Sequence, residues 1–331
     1  MARGSGRTGP QFPATVPEIG SHVTRVSLAI CTLNRREDLL RTLSVLRGQR
    51  CGIPWELVVI DNGSDDGTLE AAREFAAGSP FPLRLIRESC RGVSFARNRA
   101  LAEAVGEILV FVDDDVDCDP RLLESHARAF EDPTVHATGG RILPRLPENT
   151  PAWLRASLHE EVGGPTTRYD FGDEVAEIRV KGRIALPISC NLGLRRSLAL
   201  EAGGFRTDLG FTPEGRRIGG EDTELMMRMS ALGGRILYLP EARVVHRVQP
   251  ERVTAAYYRS WSLAYGRASI RMKGRFGPLA GFVKILEQLF RLLRYTVLPG
   301  SLLLDSKARR LRKRWQALGR ILELLRIEGK N

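Results

Sequence analysis

The chain has 331 residues, 43% of them hydrophobic and 27% charged, and a formal net charge of +11 at pH 7. That supports one large α/β domain with length to spare and excludes a fibrous or wholly disordered chain. Five scattered cysteines, Cys31, Cys51, Cys90, Cys118 and Cys190, are odd in number and form no CxxC pair, which argues against a disulfide framework or a zinc knuckle and fits a reducing cytoplasm.

Residues 1–24 are rich in small and polar residues and proline where a signal peptide needs an apolar core, so they are expected to form a disordered leader. Short, β-branched apolar runs then alternate with amphipathic stretches. Val26 to Cys31, Trp55 to Ile60, Leu83 to Ile86 and Ile108 to Val112 predict buried strands, with helices near 35–48, 67–77 and 95–105. This βαβα order implies an α/β fold with a mostly parallel, Rossmann-like sheet, helices on both faces and ligands at the carboxyl ends of the strands. Beyond Pro120 follow a helix to about Phe130, a strand around Val135 to Ile142 and a proline-rich stretch from Pro144 to Pro151. Residues 163–186 predict a mobile loop region or a small hairpin. A second ordered block holds Ser189 to Arg196 (SCNLGLRR), a helix after Gly219 to Asp222 (GGED) and two closing strands, Arg235 to Leu239 and Arg243 to His246.

The positive charge is confined to the end of the chain. Residues 251–331 carry 18 Lys and Arg against 5 Asp and Glu, whereas the first 250 carry 32 against 34. A nucleic-acid binder would spread basic charge over its folded domain, so no nucleic-acid partner is expected.

In ILVFVDDDVDCDP (108–120) an apolar strand runs into Asp113, Asp114 and Asp115. Adjacent carboxylates repel one another unless a cation lies among them, and hard Mg²⁺ or Mn²⁺ takes oxygen ligands of this kind; alone, the triplet reads equally well as an acidic turn. Asp117 and Asp119 read as turn and capping residues before Pro120. VVIDNGSDDGT (58–68) puts Asp61 and Asn62 at a second strand end, where turn chemistry alone would also explain them. AICTLNR (29–35) and GVSFARNRAL (92–101) occupy equivalent places.

With SCNLGLRR followed by GGF (203–205), and with GGEDTEL (219–225), these six ordered motifs resemble the family 2 glycosyltransferases of the A-type nucleotide-sugar-binding fold over roughly residues 25–250. The resemblance implies a metal-dependent, inverting transfer of a sugar from a nucleotide diphosphate, UDP foremost, to an acceptor hydroxyl. It implies that Thr32, Asn34, Arg35, Asp61 and Asn62 hold the base and ribose, with Arg97 near the base or diphosphate. Asp113 and Asp114 would contact ribose and metal, with Asp115 the main ligand of Mg²⁺ or Mn²⁺. Asn62 departs from the second Asp of many relatives, which leaves base choice open. Asp222 is the implied base, because in the family the Asp of this pair deprotonates the acceptor; an acidic helix start is the bland reading. Glu221 beside it either joins the catalytic centre, orients the acceptor or anchors a nearby arginine. His246 completes the metal or diphosphate site in related folds, although a lone strand-end histidine is more often structural. The chain accordingly divides into a nucleotide-binding half (25–120), an acceptor half (121–250) and a basic amphipathic helical tail (251–331).

A nicotinamide dehydrogenase is disfavoured because TLNRRED stands where GxGxxG would. A processive membrane synthase is disfavoured by the lack of QxxRW and of a spanning run. The acceptor is expected to be lipid-linked or a cell-surface polysaccharide intermediate, with a soluble tailoring enzyme as the alternative. Trp153 and Trp261 are left unassigned between sugar stacking and core. In the tail, Leu279, Phe282, Val283, Leu286, Leu289, Phe290 and Leu293 follow helical spacing, with Lys284, Glu287, Gln288 and Arg291 opposite. After VLPGSLLL (297–304) comes a cluster of Arg309, Arg310, Arg312, Lys313 and Arg314 among Leu311, Trp315, Leu318, Leu322 and Leu325. These features predict an anionic membrane surface bound through 274–331, peripherally at the inner face of the cell membrane; a packed helical pair or a homodimer through the tail is the competing expectation.

Overall fold

The computed structural model describes residues 25–157, 164–177, 179–180, 183–212, 215–274, 276–298 and 306–325. The leader and most of VLPGSLLL lie outside the described residues.

The first half is built from β1 (Val26–Thr32), α1 (Arg36–Leu46), β2 (Trp55–Asp61), α2 (Thr68–Ala77), β3 (Leu83–Arg87), α3 (Val93–Glu103) and β4 (Ile108–Val112). Then come β5 (Val116–Cys118), α4 (Leu122–Ala129), β6 (Val135–Arg145), α5 (Ala152–Ser157), the hairpin β7 (Arg179–Val180) and β8 (Arg183–Ile184), β9 (Asn191–Arg195) and α6 (Arg196–Glu201). The rest comprises β10 (Gly210–Phe211), β11 (Arg217–Gly219), α7 (Glu221–Ala231), β12 (Arg235–Arg247), a 3₁₀ turn at Pro250–Val253, α8 (Ala255–Arg271), α9 (Pro278–Val297) and α10 (Lys307–Leu324).

Eight strands form one mixed, mostly parallel sheet in the order β3-β2-β1-β4-β9-β6-β12-β5. Its first four strands are parallel, and β9 enters antiparallel between β4 and β6. Alternation along β1 explains why its sequence reads as continuously apolar. Val26, Leu28 and Ile30 face a cluster with Leu39, Leu43 and Leu46 of α1 and Leu122 of α4, while Ala29 joins Ala96 and Leu101 of α3 and Met226 of α7 on the other face. The register pairs Thr32 with Asp61 and Ile30 with Val112, so the acidic triplet emerges beside the end of β1.

One expectation is corrected, and for another the structure shows the second of its two alternatives. The two closing strands are one strand, β12, irregular between Leu239 and Arg243, whose far end pairs antiparallel with β5. A bulge lets one strand bend and still keep its partner, so Pro240 to Ala242 interrupt the pairing without ending the strand. The 163–186 segment contains the short β7–β8 hairpin and is pinned to the sheet by bridges from Tyr169 to Ile142 and from Ala176 to Tyr238. Tyr169, Phe171 and Tyr238 pack edge to face there.

The tail does not behave as one unit. Helix α8, capped by Thr254, which accepts from the Tyr257 N–H at 3.1 Å, packs against α10, capped by Ser306. Their backbones touch: a Cβ on Gly266 would come within 2.3 Å of the Gln316 carbonyl oxygen, and one on Gly319 within 2.1 Å of that of Leu263. Arg271 Nε pairs with Glu323 Oε1 across the same contact at 2.8 Å. Tyr258 of α8 and Ala308 of α10 share a cluster with Leu154 and Val248, which ties both helices to the domain. The stripe expected on the last helix is therefore largely enclosed, whereas that of α9 faces outward.

A buried polar network joins α4 to the centre of the sheet. His126 Nδ1 lies 2.8 Å from Thr138 Oγ1 and Nε2 lies 2.9 Å from Asn191 Oδ1, and Asn191 Nδ2 donates to the Ala242 carbonyl at 2.8 Å. Burial pushes the imidazole pKa down to about 4. The unfolded chain therefore binds a proton near pH 6.5 that the folded chain refuses until about pH 4, so stability is full above that window and is lost as pH falls through it. The expected loss between pH 7 and pH 4 is about 3 kcal/mol greater in the native protein than in His126→Gln. Urea midpoints measured across that range check this, and equal slopes for both proteins would sink the assignment.

Candidate active site

The loops after β1 and β2 are stitched into a shelf. Asn34, in the left-handed region at φ 53°, accepts from the Asp65 N–H at 2.9 Å, and its own N–H donates to Ser64 Oγ at 2.9 Å. Asp61 accepts from the Ser64 N–H at 3.2 Å. Asn62 spends both ends of its amide on backbone, donating to the Cys90 carbonyl at 2.8 Å and accepting from the Gly92 N–H at 2.8 Å. The amide that stands where many relatives carry Asp thus fastens the entry to α3.

The acidic triplet divides its work by depth. Asp114 turns inward and accepts from Thr32 Oγ1 at 2.7 Å; burial and the neighbouring Asp115 charge raise its pKa to about 7. Asp113 faces the cavity. Asp115 is buried beneath Arg35 Nη2 at 3.0 Å, His246 Nε2 at 3.4 Å and Arg252 Nη2 at 3.9 Å. Burial opposes its ionisation, yet these neighbours hold the carboxyl well below the usual carboxylate range. Arg247 locks the corner by donating to the Asp38 carbonyl at 2.9 Å and to Thr42 Oγ1 at 2.8 Å.

Asp115 Oδ1 is buried and has no hydrogen-bond partner. His246 Nδ1 lies 3.3 Å from the Thr166 carbonyl, which fixes it as the donor, and Nε2 accepts from Arg252 Nη1 at 3.0 Å. The unpartnered carboxylate oxygen fits a divalent ion, which would have to displace Arg252 from His246 to take the imidazole as a ligand. Among the described residues no three His, Cys, Asp or Glu side chains converge to hold an ion unaided, so an ion here would need further oxygens from water or phosphate.

Gly219 and Gly220, at φ 74° and 79°, turn the chain into α7; a Cβ on Gly220 would come within 3.2 Å of Ala268 Cβ on α8. This close approach delivers Glu221 and Asp222 to the wall of a cavity of about 580 Å³. Asp222 Oδ2 accepts from the Ser189 N–H at 3.2 Å, and Oδ1 from the Thr223 N–H at 2.6 Å. Glu221 is buried and bonded to Arg97 at 2.5 Å; burial and the Asp222 charge raise its pKa against the pull of that guanidinium. Arg97, expected near the base or diphosphate, is engaged by Glu221.

Of the predicted residues, Asp113, Glu221 and Asp222 line the cavity, whereas Thr32, Asn34, Arg35, Asp61 and Asn62 belong to the shelf and Asp115 and His246 to the acidic corner. The cavity is also lined by Arg252, Tyr257, Tyr265 and Gln316, which the sequence reading missed, by Trp261, which it left unassigned, and by Arg312, which it placed in the basic cluster of the tail. The only sequence signal for them was the basic, aromatic run after His246.

The family described as glycosyl transferase family 2 matches residues 27–201. An uncharacterized glycosyltransferase, YfnE of Bacillus subtilis, is 38% identical over 107 residues, which cover 32% of this chain and 27% of that protein. The glucosyl-dolichyl phosphate glucuronosyltransferase of Haloferax volcanii is 24% identical over 228 residues, 68% of this chain and 69% of that one. The chain thus spans about a quarter of the first relative and about two thirds of the second. A mannosyltransferase of Pyrobaculum calidifontis, solved with GDP-Man and Mn²⁺, superposes with a TM-score of 0.60 at 19% identity, covering 96% of this chain and 91% of that one, a likeness of fold.

If Asp115 anchors an ion, added Mn²⁺ should raise the melting temperature of the native protein and leave that of Asp115→Ala unmoved. An undiminished Mn²⁺ shift in the variant would remove Asp115 from the site.

Proposed function

The chain belongs to glycosyl transferase family 2, and from that premise we propose that it is a metal-dependent, inverting enzyme that moves a sugar from a nucleotide diphosphate to an acceptor hydroxyl. The donor is a nucleotide diphosphate sugar, UDP foremost; the acceptor is lipid-linked or a cell-surface polysaccharide intermediate.

The observation that carries this reading is Asp222, held at the head of α7 on the wall of a cavity that Asp113 also lines. The Ser189 and Thr223 N–H groups fix both its carboxylate oxygens, so its remaining lone pairs serve as acceptors toward the cavity. In the proposed reaction Asp222 takes the proton of the acceptor hydroxyl as its oxygen attacks the anomeric carbon. The bond to the diphosphate breaks on the opposite side, which inverts the centre and leaves no covalent enzyme intermediate. Glu221 keeps Arg97 in place and so positions the start of α7. Arg252, which lines the cavity and reaches toward Asp115, adds a cation beside the departing diphosphate. Asp115 and His246, with Asp113 on the cavity side, would hold a Mg²⁺ or Mn²⁺, which when bound supplies charge to stabilise the leaving group.

The far wall suits a saccharide. Trp261 and Tyr265 stack with centroids 5.4 Å apart and planes 12° apart, and on the same cavity the Arg217 guanidinium lies over the Tyr257 ring at 4.7 Å. A phosphate-linked sugar combines those two chemistries, in keeping with the dolichyl phosphate substrate in the relative's name. We place the enzyme peripherally at the inner face of the cell membrane; among the described residues no helix is long and apolar enough to cross one.

Screening UDP-, GDP- and dTDP-sugars for metal-dependent hydrolysis and thermal stabilisation identifies the donor. With that donor, Asp222→Asn should keep nucleotide affinity but lower kcat by about 10² or more. An equal loss of nucleotide affinity would move Asp222 into the donor site and defeat its assignment as base.

A further inference from the structure

Helix α9 is docked with its polarity reversed. A surface helix of a soluble domain buries its apolar stripe and leaves its polar face in water. In α9 the buried side chain is Gln288, 4% exposed, which accepts from Arg320 Nη1 of α10 at 3.3 Å. Leu279, Phe282, Leu286, Phe290, Leu293 and Val297 are instead 50% to 78% exposed. At 3.6 residues per turn these six fall within an arc of roughly 80°, on the side of the helix away from Gln288. A contiguous apolar surface of this kind marks a contact with a partner or a membrane.

Its surroundings select the partner. Arg294 borders the stripe, Lys284 and Arg291 lie on the flank toward Gln288 and pair with Glu287, and α10 behind them carries Lys307, Arg309, Arg310, Arg312, Lys313 and Arg314. Across α9 and α10 the only acidic residues are Glu287 and Glu323. Two such surfaces face to face would bring like charges together, which disfavours a second copy of the chain, whereas anionic headgroups complement the basic rim. The charges at Lys284, Glu287, Arg291 and Arg294 suit a helix lying in the interface rather than across the bilayer.

We propose that α9 is an in-plane anchor for an anionic membrane, with its apolar face sunk to the acyl boundary and its basic rim at the lipid phosphates. The proposal rests on the lipid-directed reading above and gives that reading a named surface. It also assigns different tasks within the tail: α8 and α10 complete the cavity, and α9 alone meets lipid. Because α10 contacts α9 and supplies Arg312 and Gln316 to the cavity, a single helix separates the anchored surface from the acceptor wall.

The test uses the full chain with vesicles of phosphatidylcholine, with and without phosphatidylglycerol. The native protein is expected to co-sediment with the phosphatidylglycerol vesicles and to be released by salt. The double variant Leu286→Glu, Phe290→Glu should lower the bound fraction by about tenfold or more while its thermal melt and donor hydrolysis stay native. As a probe that spares the fold, Phe290→Trp should shift its fluorescence to the blue on adding the same vesicles. The proposal is overturned if the native protein ignores these vesicles, if the double variant binds them equally well, or if α9 proves to be covered by a second copy, seen as a native dimer that the double variant converts to monomer. Vesicle binding without sugar transfer would defeat the enzymatic reading and spare the anchor; transfer without vesicle binding would do the reverse.

Discussion

Asp115 is a carboxylate with a side chain 1% exposed, kept ionised in a place where burial alone would neutralise it. Its partners come from three separate parts of the chain: Arg35 from the turn after β1, His246 from the end of β12, and Arg252 from the 3₁₀ turn that leads to α8. Each segment must arrive for the charge to be tolerated, so the acidic corner acts as the closing joint of the sheet as well as a candidate ion site. Arg247 reinforces the joint by holding α1 and the β4–β5 turn with one guanidinium. The neutral role of Asp114 follows from the same economy of charge. Two adjacent buried carboxylates repel, and Asp114, with a hydroxyl partner and Arg35 only at 3.8 Å, is the one whose pKa rises, while Asp115 has Arg35 at 3.0 Å together with His246 and Arg252.

The nucleotide-binding half was legible because its signals are local. β1 to β4 are short apolar runs bounded by turn residues, and each motif sits within a few residues of a strand end, so spacing placed Asp61, Asp113 and Asp115 at strand ends, while their roles came from the resemblance. What the spacing could not supply was the inward or outward facing of neighbours. Asp113 and Asp114 look alike in sequence, and only the register of β4 against β1, which sets Asp114 beside Thr32, separates the cavity residue from the structural one. The Arg97–Glu221 pair joins residues far apart in the chain and left no periodic trace. The strand β9 was visible as an apolar segment, but its antiparallel insertion between β4 and β6 depends on long-range pairing.

The tail stayed open between packing and a membrane surface for a related reason. Its amphipathic spacing is real in both α9 and α10, yet spacing says which residues share a face and not which way the face turns. In α10 the decisive residues are small: Ala308, Ala317 and Gly319 let the helix sit close against α8, so its larger apolar side chains become half enclosed. In α9 the decisive residue is Gln288, a polar group that found a partner on α10 and thereby turned the stripe outward. Beyond the change in charge density at residue 250, α8 and α10 form one packed unit that shares a cluster with Leu154 and Val248.

That unit has a consequence for the order in which the protein comes into being. Asp113, Glu221 and Asp222, the shelf and the whole sheet are synthesised before α10, yet Arg312 and Gln316 of that helix form part of the cavity wall. A nascent chain that has already folded its sheet still presents an open-sided cavity, with the surface of α8 that will meet Gly319 uncovered. The wall closes only when α10 leaves the ribosome and its glycine seats against the Leu263 carbonyl. Synthesis thus imposes its own delay: the acceptor side is assembled last, after every residue that would act on the donor is in place.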